Sequence, residues 1–318
     1  MRLVRQCCLA RVAPMFLWHI FRFSVSAFLA LSLVVACQDF RNGQGPSLSE
    51  APMGALRIAT YNVHYINTFE ETGRWSVAGW EARKEPMDRA LKAIRADVVA
   101  FQEMETFTGN DDDSVNLTRA YLLDRNPGYA AAAIGDWREF PSTQPIFYRR
   151  ERLVLLDQRW FFFSEEPDVI YSRTFNGSYP AFASWAEFRD RSSGDAFRVV
   201  NVHTDFRSRE NRRRSVALIA ERIGPWILAG ETVFLAGDLN ARNGSGLHGM
   251  LEKAGLEFMR INGATYHFDR GLNLFGAIDH IGYSDGARPI GTPAVIREKF
   301  GDVWPTDHYP VVADFTLE

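Results

Sequence analysis

Cysteine is almost missing from this chain of 318 residues, and its three copies, Cys7, Cys8 and Cys37, all fall near the amino end. Everything beyond Cys37 therefore has no thiol, which excludes a disulfide framework there and any zinc site built on thiolates. A surplus of positive charge is missing as well. The chain carries 36 Lys and Arg against 39 Asp and Glu, and setting aside Arg2, Arg5, Arg11 and Arg22 with the amino-terminal segment leaves 32 against 39, a net charge of −7. Tight, indiscriminate binding of nucleic acid draws on a basic footprint. This composition offers none globally. Internal repeats, low-complexity blocks and a second linker are absent too.

What is present begins with an apolar amino-terminal segment. Residues 15–36 are interrupted only by His19 and Arg22, follow Arg2, Arg5 and Arg11, and close on Val34-Val35-Ala36-Cys37. A basic start, an apolar middle and a small residue before the break describe a secretory signal. The closing tetrapeptide resembles the bacterial lipoprotein box, which implies lipidation of Cys37 and an exported, membrane-attached protein. Gln38 beside it favours the outer membrane or cell surface. An uncleaved anchor is the alternative, because an apolar span of roughly 20 residues crosses a bilayer. Residues 1–36 are thus expected to be a signal peptide or anchor. Residues 37–54 read as the lipidated Cys and a flexible tether rich in Gly, Pro and Ser, and residues 55–318 as one folded domain.

That domain is ample for one large α/β core. Helical periodicity appears over 80–95, where Met87, Leu91 and Ile94 share a face, over 116–124, and over 209–223 with Val216, Ile219, Ala220 and Ile223. Strand-like runs alternate with these, several of them apolar on both faces. The expected fold is a two-layer β-sandwich flanked by helices, four layers in the order α/β/β/α.

The strands end in residues that a hydrophobic core does not need. Thr232-Val233-Phe234-Leu235 delivers Ala236-Gly237-Asp238-Leu239-Asn240, in which Asp238 and Asn240 leave the pleat on the same side. A carboxylate there can take a proton from water while a carboxamide holds the water or a phosphoryl oxygen. The same grammar closes Leu56–Asn62, Asp97–Glu103, Phe197–Asp205 and Ala277–Ile281, and Asp307-His308 stands just before a sixth run, Val311–Phe315.

These pieces resemble the endonuclease/exonuclease/phosphatase superfamily of metal-dependent phosphoesterases, which includes deoxyribonucleases, abasic-site endonucleases, sphingomyelinases and inositol-polyphosphate phosphatases. The matching residues are Tyr61-Asn62, Gln102-Glu103, Asn201-Val202-His203, Gly237-Asp238-Leu239-Asn240, Ile278-Asp279-His280 and Thr306-Asp307-His308-Tyr309-Pro310-Val311, in the family's order. Residues 145–149 and 164–167 look like one exported bacterial branch of it.

The resemblance implies a phosphoric ester hydrolase. Glu103 becomes the primary metal ligand with Asn62 beside it and Asp307 assisting, an oxygen-rich set that suits Mg²⁺ or Mn²⁺. Asp238 becomes the general base and Asn240 the group that holds water or phosphate. His308 is expected to meet the scissile phosphate as a cation, His203 to donate to a non-bridging oxygen, and Asp279 to raise the pKa of a histidine. Within the run 207–214, Arg207 and Arg212 are candidates for phosphate contact and the rest read as a solvated helix start. Asp205 is either a site residue or a loop cap, and Asn201 a strand-end Asn bonded to backbone. His64, His248, His267 and His280 are expected on the surface or in support.

Substrate choice is expected to lie in the loops 67–80, 106–114 with its Asp111-Asp112-Asp113 run, 171–183 and 243–249. Trp75, Trp80, Tyr171, Phe175, Tyr179 and Trp185 are candidate stacking groups. The expected partners are a phosphate ester (a small molecule, lipid head group or nucleic acid) and a membrane through the lipid or anchor, with the protein a monomer. A surface nuclease is the alternative function. A non-catalytic binding protein retaining the fold is the third.

Overall fold

A computed structural model describes residues 48–108 and 115–318. The signal segment, Cys37, most of the tether and the Asp111-Asp112-Asp113 run lie outside the described residues. In chain order the first strands are β1 (Leu56–Asn62), β2 (Ile66–Asn67), β3 (Val98–Gln102), β4 (Thr106–Phe107), β5 (Tyr129–Ala132), β6 (Ile146–Arg149) and β7 (Leu153–Phe162). They are followed by β8 (Phe182–Asp190), β9 (Ala196–His203), β10 (Thr232–Asp238), β11 (Glu257–Phe258), β12 (Asp279–Tyr283), β13 (Ala287–Val295) and β14 (Val311–Leu317). The described helices are α1 (Val77–Ile94), α2 (Leu117–Arg125), α3 (Arg209–Leu228) and α4 (Gly246–Lys253).

The strands form two six-stranded sheets, ordered β13-β14-β1-β3-β6-β5 and β11-β12-β10-β9-β8-β7, with a small β2-β4 pair beside them. Apolar residues on the facing sides pack into one inner core, Ile58, Val98 and Ala100 against Val199, Phe234 and Ala236. The outward sides are covered separately. Met87, Leu91 and Ile94 of α1 lie with Ala59, Val99 and Phe101 on the first sheet, and Val216, Ile219 and Ile223 of α3 lie with Val200, Val233 and Leu235 on the second. This is the four-layer sandwich expected, and it explains why β1, β3 and β12 are buried along their whole lengths.

Topology then sets the position of the polar strand ends. β1 and β3 are parallel and joined through α1, while β9 and β10 are parallel and joined through α3. Each crossover brings two carboxyl ends to one edge of its sheet, where open α/β sheets hold their ligands. Antiparallel β12 starts at that edge, with Asp279 in register with Asp238, which is itself in register with His203.

Helix α3 continues past the expected end at residue 223 to Leu228, through Pro225. Helix α4 occupies part of what read as the loop 243–249. Trp80 and Trp185 are core residues, only 2% and 6% exposed, and so are not stacking platforms. Among the described residues no helix is long and apolar enough to cross a membrane.

Candidate active site

The cleft floor is a hydrogen-bonded bolt between the sheets. The Gln102 side-chain amide donates to Asn201 Oδ1 at 2.7 Å, the Thr60 hydroxyl donates to Gln102 Oε1 at 3.1 Å, and Asn201 Nδ2 donates to the Phe101 carbonyl at 2.7 Å. Every member is buried, so the apolar core tolerates the amides because they satisfy one another. Asn201 does bond backbone, but across the sandwich rather than within its own turn.

Above this bolt the chain leaves three strands abruptly. His64, Glu103 and Asn240 all have left-handed backbones, with φ of 53, 55 and 46°. Such a conformation costs a side-chain-bearing residue on the order of 1–3 kcal/mol and persists only where its surroundings enforce it. The enforcement is visible. Buried Arg83 donates to the carbonyls of Val63, His64, Tyr65 and Pro305, clamping the exit of β1. Asn240 N–H donates to Asp238 Oδ1 at 2.7 Å, fixing the exit of β10. Gly237 is required for a different reason: a Cβ there would lie 2.0 Å from the Val202 carbonyl, so only glycine lets β10 approach β9 at this point.

The result is a convergence of side chains from both sheets. Asn62 Nδ2 donates to Glu103 Oε1 at 2.9 Å and reaches Asp238 Oδ2 at 3.4 Å, while its Oδ1 accepts from the His64 N–H. His203 Nε2 stands 3.8 Å from both Glu103 Oε1 and Asp238 Oδ2. His308 shares its Nδ1 proton with Asp279 Oδ2 at 2.9 Å and turns Nε2 toward Asp238 Oδ2 at 3.9 Å. Asp307 is buried next to it, its Oδ1 accepting from the Thr306 hydroxyl at 3.3 Å. Asn240 Nδ2 donates to the Thr204 carbonyl at 2.9 Å, tying together the segments that follow β9 and β10.

The electrostatics follow from this packing. Burial, and then the neighbouring Asp279 charge, push Asp238 up to about 6 against the pull of His308 and His203. Burial alone would favour a neutral His308, but Asp279 next to it prevails and lifts it to about 10. For Asp279 itself burial is outweighed by His308, so its carboxyl lies below the usual range. Burial also works against the charge on Glu103. His203 and His64, with the Asn62 hydrogen bond, more than compensate and hold it below its ordinary value. One carboxylate is therefore placed near neutrality beside an imidazolium.

Two sets of residues are chemically able to attract a divalent cation. Asp238, Asp279 and His308 offer ligand atoms within 4.8 Å of one another. That set fits poorly, because a ligating imidazole must be neutral and His308 is held as a cation by Asp279. Glu103 fits better. Among the described residues it meets no lysine or arginine within ion-pair distance, only His64 at 3.9 Å and His203 at 3.8 Å. Asp307 follows Thr306, whose hydroxyl donates to the Asn62 carbonyl at 3.1 Å, so a second hard oxygen donor is anchored at the exit of β1. Asn62 steadies the Glu103 and Asp238 carboxylates, its own oxygen being taken by His64.

Other expectations resolve differently. Asp205 is a cap: its Oδ1 accepts from the N–H groups of Arg207 and Ser208 at 2.7 and 2.6 Å, at the entry to α3. Arg212 donates to the Asp205 carbonyl at 2.7 Å and so is tied to that entry, whereas exposed Arg207 lines the cleft. His248, His267 and His280 are buried rather than at the surface, and burial drives the first two down to about 3. His64 belongs to the site itself, its ring stacked on Trp75 at 3.4 Å and 3°. Tyr266, not anticipated, packs 5.0 Å from the His308 ring. His64 carried a usable signal, since it follows Asn62 by two residues as Asn240 follows Asp238.

Known proteins share this fold. The profile of the endonuclease/exonuclease/phosphatase family matches residues 59–308. An endonuclease/exonuclease/phosphatase from Bacteroides vulgatus superposes with a TM-score of 0.67 at 24% identity, covering 83% of this chain and 99% of that one. A mannosyl-6-phosphatase from Bacteroides thetaiotaomicron superposes with a TM-score of 0.68 at 22% identity, covering 82% and 100%. In sequence, the chain is 26% identical over 167 residues to an uncharacterized protein of Acanthamoeba polyphaga mimivirus, a match covering 52% of this chain and 60% of the viral protein.

Proposed function

The chain belongs to the endonuclease/exonuclease/phosphatase family, and from that premise we propose that it hydrolyses a phosphate ester with the help of Mg²⁺ or Mn²⁺. The observation that carries this reading is the convergence of Glu103, His203, Asp238 and His308, from two sheets, with polar atoms 3.8–3.9 Å apart. Clusters of ionisable groups are costly to bury.

Asp238 takes a proton from a water, the water oxygen bonds to phosphorus, and the ester P–O bond opposite it breaks. A base held near 6 is ionised at neutral pH yet still able to accept that proton. His308, cationic and oriented by Asp279, presents Nε2–H to a non-bridging oxygen, and His203 meets the developing charge from the other side. Asn240 keeps Asp238 pointed inward through its backbone N–H. Glu103 and Asp307 would hold the cation, with Asn62 orienting Glu103. When bound, a divalent ion neutralises charge on the phosphoryl oxygens.

Export and attachment through a lipid on Cys37 belong to the same proposal, supported by the Val34-Val35-Ala36-Cys37 box. Cys37→Ser should release the protein from membranes, and unchanged retention would favour an anchor. The substrate class is tested by a panel of plasmid DNA, RNA, sphingomyelin, inositol phosphates, sugar phosphates and nucleotides, with Mg²⁺ or Mn²⁺. Hydrolysis of a small ester well above that of polynucleotide is expected. Cleavage of DNA or RNA alone would establish the nuclease alternative, and hydrolysis of nothing would leave a binding protein.

A further inference from the structure

Beside Glu103 and His203 the cleft opens into a pocket of about 430 Å³. Its walls come from separate segments: Tyr65 after β1, Phe107 in β4, Tyr179 and Phe182 around the start of β8, and Phe206 after β9. Rings meet there edge to face, Tyr65 with Phe107 at 5.1 Å and Phe107 with Tyr179 at 6.3 Å. Phe206 is 67% exposed although it is large and apolar, and Arg207 lies over its ring at 4.9 Å. Nothing in the packing of the sandwich calls for an exposed phenylalanine at this rim.

A polar group in the same lining points to what the rings receive. Gln144 is 5% exposed, and its Nε2 donates to the Phe182 carbonyl at 2.6 Å. Its Oε1 is buried with no hydrogen-bond partner. A buried acceptor left unpaired costs roughly 1–3 kcal/mol, and Gln144 is one of the residues that line the pocket. The pocket thus combines aromatic walls with one acceptor in need of a donor. Its volume lies at the small end of ligand sites. Among the described residues Glu103, Glu105 and Asp205 also line it against one arginine, Arg207, so the further phosphates of a polynucleotide would meet negative charge.

We propose that this pocket receives a single planar, heteroaromatic ring bearing an N–H donor, so that the favoured ester is a mononucleotide-like one rather than a polynucleotide or a plain sugar phosphate. The inference deepens the hydrolase reading and rests on it for the position of the phosphate. The ring stacks against Phe206 and the Phe107–Tyr179 wall, its N–H donates to Gln144 Oε1, and the phosphate is carried to Glu103 and His203.

Binding is measured by calorimetry on the full chain carrying Asp238→Asn, with Mg²⁺ present, so that it is read without turnover. The probes are adenosine 5′-monophosphate, ribose 5-phosphate and mannose 6-phosphate. The mononucleotide should bind more tightly than either sugar phosphate, and Phe206→Ala should shrink its advantage over ribose 5-phosphate by roughly tenfold or more, the scale of one aromatic platform. Gln144→Met should reduce the same ratio. Phe206 is exposed, so its variant remains informative should the buried Gln144 variant fail to fold. Equal binding of the three probes, a sugar phosphate binding best, no binding by any, or an unchanged ratio in Phe206→Ala would each overturn the assignment. Hydrolysis of an activated phosphodiester by the unmodified protein reports separately on the hydrolase reading.

Discussion

The two ends of the cleft are built on opposite plans. At the β10–β12–β14 end, Asp238, Asp279 and His308 are all buried, and His308 Nδ1 and Asp279 Oδ2 meet at 2.9 Å. At the β1–β3 end, Glu103 is partly open, is held by an amide at 2.9 Å, and among the described residues has histidines alone as ion-pair neighbours, at 3.8–3.9 Å. The first end is complete within the chain. The second is an anionic corner whose charge no lysine or arginine neutralises among the described residues, the feature expected where a cation is to be admitted. Preorganised proton chemistry and recruitable charge are thus kept apart, with Asn62 the bridge that touches Glu103 and Asp238 together.

The sharpest way to break this contrast is to disarm the complete end. Asp238→Asn should lower turnover by on the order of 10²–10⁴, the usual reach of a general base, with the melting transition preserved. A rate comparable to that of the unmodified protein would remove Asp238 from the chemistry. At the other end, Asn62→Ala frees Glu103 from its one short hydrogen bond. Metal affinity, followed by titrating activity against Mg²⁺, should fall by roughly 10- to 100-fold, as for other groups that orient a ligand. An unchanged affinity would deny Asn62 that role.

Backbone approach offers a milder test. Gly237→Ala places a Cβ against the Val202 carbonyl and should destabilise the fold by roughly 1–3 kcal/mol in chemical denaturation, while displacing His203 and Asp238 together. Wild-type stability would show that the glycine is incidental. The subtlest test concerns the proton held by His308. Its folded pKa, about 10, is raised above the value of roughly 6.5 in an unfolded chain. The stability contributed by its pairing with Asp279 is therefore full below that unfolded value and is lost as pH climbs through about 10. In metal-free protein, Asp279→Asn should move the imidazole titration seen by NMR back toward neutrality, and the stability gap between the two proteins should close over the same pH interval. An unmoved titration would assign the shift to another neighbour.

Much of this arrangement was legible in the chain because the candidate site residues lie at the ends or just before the starts of strands that the hydrophobic pattern already marks. Leu235 and Phe234 announce β10, so Asp238 is conspicuous. Met87, Leu91 and Ile94 likewise announce α1. Where pattern and role separate, the sequence leaves the role open. Asp205 reads equally as a site residue or a loop cap, because a carboxylate before a helix has the same residue signature in either role, and its bonds to the Arg207 and Ser208 N–H groups decide for the cap. His64 looked peripheral because its place in the site depends on a left-handed turn and on Trp75, both set by tertiary structure. The histidines of the core bond partners that no periodicity reveals: His280 Nε2 meets the Ala241 carbonyl at 2.7 Å, His248 Nδ1 the Ser245 hydroxyl at 3.0 Å, and His267 Nδ1 accepts from the Gly271 N–H at 3.3 Å. Pairing across two sheets, as between Gln102 and Asn201, is equally invisible along one strand.

The most direct measurement is hydrolysis of bis(4-nitrophenyl) phosphate by the purified protein as Mg²⁺ is titrated in after complete chelation, in parallel with Glu103→Gln. Turnover should be absent in the chelated protein, return saturably with the ion, and require far more of it in the variant. Equal rates with and without chelator, or the same Mg²⁺ dependence in both proteins, would contradict the placement of a cation at Glu103.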